Sequence, residues 1–306
     1  GRRMIAAEPH TRHTAALSGL LQPAWQQELA HAVRDPLELL ALLGLTPGQI
    51  APGETAESLQ AAAAGFALRV PRSYVARMRP GDPADPLLRQ VLPVGAETLT
   101  VPGFGPDPLQ EGAARAVPGL LHKYQGRALL VTTGACAVHC RYCFRRHYDY
   151  EADHETEASR RWSTAITHIA GDASIEEVIL SGGDPLSLGN ARLAQLLLQI
   201  RDIPHVRRVR IHTRTPVVLP SRVDAGLIAA LQPVRAQMAI VIHANHPAEL
   251  DDPTLAALRQ LGAACTALLN QSVLLAGIND DAQVLGLLSQ RLFEAGVLPY
   301  YLHQLD

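Results

Sequence analysis

The sequence predicts an α/β protein built around a parallel β-sheet, on three observations. From about residue 127, short apolar runs of strand length alternate with stretches of helical spacing. One run plus one helical stretch takes roughly 30 residues, the length of a strand–helix unit. Polar residues gather at the same end of each run, where parallel strands present functional groups.

The apolar runs lie at 128–132, 177–180, 209–212, 238–242, 267–273 and 297–302, with helical patterns at 159–170, 190–200, 224–231, 253–261 and 282–295. The polar groups at the run ends are Thr132 and Thr133, Ser181 to Asp184, His212 to Arg214, His243 to His246, Asn270 to Ser272, and His303. Periodicity leaves two closures open: six units curled into a partial barrel, or six units in an open doubly wound sheet. Ahead of them, residues 1–60 read as helices with short breaks. Apolar residues recur at helical spacing over 24–33 and 36–43, and Asp35-Pro36 is a start signal. Residues 70–120 are rich in Pro and Gly and read as an extended, loop-rich arm that packs on something or covers a site. The division is therefore 1–120, helical region and arm, and 121–306, α/β domain.

The 306 residues are 47% apolar and 18% charged, enough for a large core. A net charge of −2 and 4% aromatic residues give no case for nucleic acid. No apolar run reaches the roughly 18–20 residues that span a bilayer. Nor does an apolar signal core follow Gly1-Arg2-Arg3-Met4, so no secretory peptide is read. Cysteine usage points to a metal site in a reducing, cytoplasmic compartment rather than to disulfides.

The first apolar run leads into Cys136-Ala137-Val138-His139-Cys140-Arg141-Tyr142-Cys143. Three thiols at this spacing suit an iron–sulfur cluster or zinc. Zinc in a structural site wants a fourth ligand, which His139 or His147 would supply, since Cys265 stands alone far along the chain. A four-iron cluster usually has four thiolates, so three leave one iron open to an outside ligand. Buried free cysteines are the remaining reading.

The pattern Cys136-x3-Cys140-x2-Cys143, with aromatic Tyr142 before the last cysteine, resembles the signature of the radical S-adenosylmethionine enzymes. The longer string CAVHCRYCFRRH (136–147) resembles the lysine 2,3-aminomutase family, and within it the branch that makes β-lysine for modifying elongation factor P. The strings FALRVP (66–71), DPLLRQ (85–90), VPGLLHKY (117–124), SGGDPL (181–186), RTPVV (214–218), LNQSVLL (269–275) and PYYLH (299–303) extend the resemblance from residue 24 to the end.

The resemblance implies a partial (βα)6 TIM-like barrel of the radical S-adenosylmethionine type with an N-terminal helical and loop-rich extension. It implies that Cys136, Cys140 and Cys143 hold a [4Fe–4S] cluster whose open iron chelates S-adenosylmethionine, the source of a 5′-deoxyadenosyl radical. Ser181, Gly182, Gly183, Asp184, His243 and Gln271 match positions near S-adenosylmethionine. Tyr124 and Arg127 match residues that bind pyridoxal 5′-phosphate, Arg127 through the phosphate. Arg145 matches the residue that binds the substrate carboxylate, and Asp306 an acidic residue that accepts the substrate ammonium. The implied reaction converts L-lysine to (R)-β-lysine, which a separate ligase attaches to elongation factor P. No direct contact with that factor is expected; a homo-oligomer is compatible with all of this.

The chain departs from the family in one respect. The lysine that holds pyridoxal phosphate, and a second acidic residue for the substrate ammonium, fall in a segment after the string at 299–306. The single lysine, Lys123, matches neither. The residues present are therefore expected to build the cluster and bind S-adenosylmethionine, yet to turn lysine over poorly. Two rivals stay open: a radical aminomutase for a different amino acid, and a zinc-stabilised, non-catalytic α/β module.

Overall fold

The computed structural model describes residues 22–151 and 162–304. The N-terminal region holds α1 (Ala24–Ala30), α2 (Pro36–Leu42), α3 (Pro47–Ile50), α4 (Ala56–Gly65) and α5 (Arg72–Val75). Asp35 caps α2 by accepting the Leu37 N–H at 2.9 Å, with Pro36 in the first turn, as the start signal implies. Eight strands follow: β1 (Arg115–Val117), β2 (Leu120–Tyr124), β3 (Arg127–Thr133), β4 (Glu177–Gly182), β5 (Arg208–Thr213), β6 (Met238–His243), β7 (Ala267–Val273) and β8 (Leu298–His303). Between the later strands run α6 (Ser163–Gly171), α7 (Asn190–Arg201), α8 (Thr215–Val218), α9 (Ala225–Leu231), α10 (Asp252–Gly262) and α11 (Ala282–Glu294).

The strands form one sheet in sequential order, β1 to β8. β3 to β8 are parallel. This order decides between the two closures. A doubly wound sheet must reverse its strand order, and this one never does. Right-handed crossovers that always step the same way put every connecting helix on one face. That face is apolar: Ala128, Leu130, Val178, Leu180, Val209, Ile211, Ile240 and Ile242 share one core with Ile169, Leu193, Leu197, Leu227, Leu258 and Leu292 from the helices. The other face is concave. Its alternate residues Leu129, Ile179, Arg210, Ala239 and Leu269 are half-buried while Val131 and Val241 are buried, so the interior of this partial barrel is a partly filled lumen.

The arm departs from its reading as an extended loop at its end. Residues 115–124 pair as an antiparallel hairpin, and β2 adds antiparallel to β3 at the sheet edge. The boundary drawn at 120/121 thus falls inside β2. Gly119, at φ +75°, makes the turn. β1 has three residues and β2 ends in His122-Lys123-Tyr124, so neither carries the apolar alternation that marks a strand.

A second core lies over the C-terminal ends of the strands. Trp25, Val33, Leu39, Leu40, Leu59, Tyr74, Leu87 and Leu88 pack with Ala137 and Val138 of the cysteine loop and with Val218 and Leu219. The N-terminal region therefore packs on the barrel, against the segment that carries the thiols. Among the described residues, no helix is long and apolar enough to cross a membrane.

Candidate active site

The cysteine loop leaves β3 at its C-terminal end and is held from outside. The His139 N–H donates to the Arg69 carbonyl at 3.0 Å and the Arg141 N–H to the Gln90 carbonyl at 2.9 Å. The Arg141 side chain pairs with Glu97, Nε to Oε1 at 2.9 Å. Fixed this way, the loop presents Cys136, Cys140 and Cys143 as free, half-buried thiols. Burial pushes Cys136 well above the ordinary thiol range, and Cys143 up to about 11, with the neighbouring thiols adding to both. Alone, such thiols resist ionisation; a metal centre reverses that by taking them as thiolates. Three sulfur donors on one loop, next to a lumen with unsatisfied polar groups, fit an iron–sulfur cluster with room for an exogenous ligand.

The stretch Ser181 to Asp184 closes β4 against this loop. The Gly183 N–H donates to the Thr133 carbonyl at 2.7 Å, and the Asp184 N–H to the Ala135 carbonyl at 2.8 Å. Gly182 sits at φ +112°, and a Cβ there would come within 2.8 Å of the Thr133 carbonyl oxygen. The two glycines thus let β4 approach the start of the cysteine loop at backbone distance. Asp184 spends its carboxylate inside the protein. Oδ1 accepts from Leu186 N–H (3.0 Å) and Thr213 Oγ1 (2.6 Å), and Oδ2 from the N–H groups of Arg214 (2.8 Å) and Thr215 (3.0 Å). It ties the end of β4 to the end of β5.

Four groups share electrostatic reach across the lumen: Arg145, His212, His243 and His303. The rings of His212 and His243 meet edge to face, with centroids 6.0 Å apart. Burial lowers His212 to about 3, with Arg210 and Arg145 adding, and holds His243 well below the imidazole range, with His212 adding. Both are neutral near pH 7, and the Nε2 atom of each is buried without a partner. Gln271 stands beside His243 in the β6–β7 register. Arg145, two residues beyond Cys143, is 7% exposed. Its Nη1 donates to Ser181 Oγ at 2.8 Å, while Nε and Nη2 hold the Glu111 carboxylate at 2.8 and 2.6 Å. Burial works against its charge, and Glu111 more than offsets this, leaving its pKa raised.

Arg127 and Tyr124 lie elsewhere. They face each other across the β2–β3 turn, the guanidinium 5.1 Å from the ring centre, and both are exposed. The seven residues of β3 separate them from the cysteine loop, about 20 Å of strand. Asp306 lies outside the described residues.

A family model described as a 4Fe–4S single cluster domain matches residues 125–215, the span from β3 to the start of α8. Over nearly the whole chain it is similar to proteins named L-lysine 2,3-aminomutase. The Escherichia coli protein is 46% identical over 295 residues, covering 96% of this chain and 84% of the relative. The Haemophilus influenzae protein is 46% identical over 282 residues, 92% and 81% of the two. That of Clostridium subterminale is 33% identical over 282 residues, 92% and 66%. The chain belongs to the lysine 2,3-aminomutase family of radical S-adenosylmethionine enzymes. Iron–sulfur chemistry at the cysteine loop takes the place of the zinc module.

Other residues of the site fall outside the spacing pattern. Glu111 holds the Arg145 guanidinium. Tyr74, Gln90, Tyr142, Asn245 and Glu249 surround Arg214 behind the cysteine loop. His246 has a local duty, accepting the Ala248 N–H at 3.1 Å to cap the next turn. Arg214 belongs to the RTPVV string, but nothing in that string says what its side chain touches.

Proposed function

We propose that this aminomutase moves the amino group of L-lysine from C2 to C3, giving (R)-β-lysine for the modification of elongation factor P by a separate ligase in the cytoplasm. The observation that carries the reading is Arg145: a buried guanidinium on the cysteine loop itself, at the mouth of a half-buried polar lumen. It supports a small substrate with a carboxylate, held next to the thiols.

When bound, the cluster with S-adenosylmethionine supplies a carbon radical that takes a hydrogen atom, and pyridoxal phosphate supplies a conjugated partner for the migrating nitrogen. In this reading Cys136, Cys140 and Cys143 hold the cluster, and Ser181, His243 and Gln271 line the space in front of it. Gly182, Gly183 and Asp184 keep β4 and β5 closed on the loop so that the space has a fixed shape. The unpartnered Nε2 atoms of His212 and His243 offer hydrogen bonds without adding charge. Arg145 takes the substrate carboxylate, sharing its fork with Glu111 or releasing it. Tyr124 and Arg127 hold the phosphate end of pyridoxal phosphate from the opposite rim, and Asp306 receives the substrate ammonium.

The test is anaerobic. The reconstituted protein is given S-adenosylmethionine, pyridoxal phosphate, reductant and L-lysine deuterated at C3. Deuterium should appear in 5′-deoxyadenosine. The label readout requires lysine at the radical but not full turnover. Label transfer from another α-amino acid and none from lysine would assign the substrate to the rival aminomutase reading.

A further inference from the structure

Behind the cysteine loop lies a buried polar network that the reading above does not use. Arg214 follows the last residue of β5 and is 5% exposed. Its Nη1 donates to the Cys140 sulfur at 2.8 Å and to the Tyr142 hydroxyl. Its Nη2 donates to Glu249 Oε1 at 2.7 Å, Gln90 Oε1 at 2.8 Å and Tyr74 Oη at 3.2 Å. Glu249 is fully buried, and its Oε2 accepts the N–H groups of Asn245 (2.6 Å) and His246 (2.9 Å). Asn245 Nδ2 closes the network on Tyr142 Oη at 2.7 Å and Gln90 Oε1 at 2.9 Å. Both terminal nitrogens of the guanidinium are thus held, while its Nε is buried without a partner.

We infer that Arg214 is a positioning residue that sets the reduction potential of the cluster through its charge and its hydrogen bond to Cys140, with Glu249 as the counter-charge that trims the effect. The inference rests on the reading that Cys136, Cys140 and Cys143 hold the cluster. One-electron reduction adds a negative charge to the cluster. A cation donating to a ligand sulfur stabilises the reduced form, so the potential rises. Glu249 opposes this from the far side of the guanidinium. Arg214 and Glu249 are a buried pair, so removing either leaves the other uncompensated. The two substitutions therefore act in opposite senses.

The experiment is potentiometric electron paramagnetic resonance on the anaerobically reconstituted protein, reading the reduced-cluster signal against poised potential. Iron content and circular dichroism are recorded for each variant. Arg214→Gln should shift the midpoint to a more negative value and Glu249→Gln to a more positive one. Arg214→Lys, which keeps the charge and loses the fork, should fall between wild type and Arg214→Gln. If Arg214→Gln assembles no cluster, Glu249→Gln decides alone: an upward shift supports the inference, and no shift or a downward one overturns it. Midpoints unchanged, or moved in one direction by both neutral variants, would show a structural network only. A wild-type protein that assembles no cluster overturns both the inference and the reading beneath it.

Discussion

At the scale of single residues, the lumen is defined by charges that are either satisfied or suppressed. Arg145 is charged and held; His212 and His243 are neutral because burial forbids the imidazolium, and the nearby arginines add to that. This has a consequence for stability. His212 titrates at about 3 when folded against 6.5 when free, so between those values the unfolded chain binds a proton that the folded chain refuses. Stability is therefore full above about 6.5 and falls on acidification, by up to about 1.4 kcal/mol per pH unit for each such histidine. Denaturant unfolding at pH 7 and pH 5 should show a shallower loss for His212→Gln than for the wild type. An equal loss in both would mean that His212 is protonated in the fold.

At the scale of elements, what was legible depended on which face of a strand is buried. All six parallel strands were readable to within a residue or two: β3 to β7 because their outward positions pack on helices, and β8, exposed along its length, from its apolar composition alone. The hairpin at 115–124 was not, because its residues are few and partly polar. The Arg214 network was illegible for a different reason. Its members come from positions 74, 90, 142, 214, 245 and 249, on five separate segments, and no spacing rule links those segments. The contact of β4 with the cysteine loop was not legible: the sequence marks the glycine pair only as matching positions near S-adenosylmethionine, and what it approaches is the chain itself. A Cβ on Gly183 would overlap the Ala135 carbonyl oxygen and lie 2.8 Å from the Gly134 carbonyl carbon. Backbone atoms give way poorly, so Gly183→Ala should cost about 1–3 kcal/mol or displace the start of the loop. Iron bound after reconstitution should drop in Gly183→Ala. It should hold in Gly189→Ala, where a Cβ meets nothing within 4 Å. Full iron content in Gly183→Ala would separate the β4 turn from the cluster.

At the scale of the whole molecule, the strand order is what makes a site possible. Periodicity could not choose between a curled and an open sheet, because it carries no information on the direction of each crossover. Six parallel strands stepping one way leave a concave face without helices, and strand alternation puts Ser181, His212, His243 and Gln271 on it. The N-terminal region then covers those ends with a core of its own that includes Ala137 and Val138. Residues far apart in sequence thereby fix the loop from both sides, Arg69 and Gln90 from the N-terminal region and Thr133 and Gly183 from the sheet. The account depends on that loop holding a cluster with an iron open to S-adenosylmethionine. The most direct measurement is the electron paramagnetic resonance spectrum of the reconstituted, dithionite-reduced protein, with and without S-adenosylmethionine. The account predicts a reduced four-iron signal that changes shape when S-adenosylmethionine is added. A protein that takes up zinc and shows no such signal, or a cluster signal indifferent to S-adenosylmethionine, would contradict it.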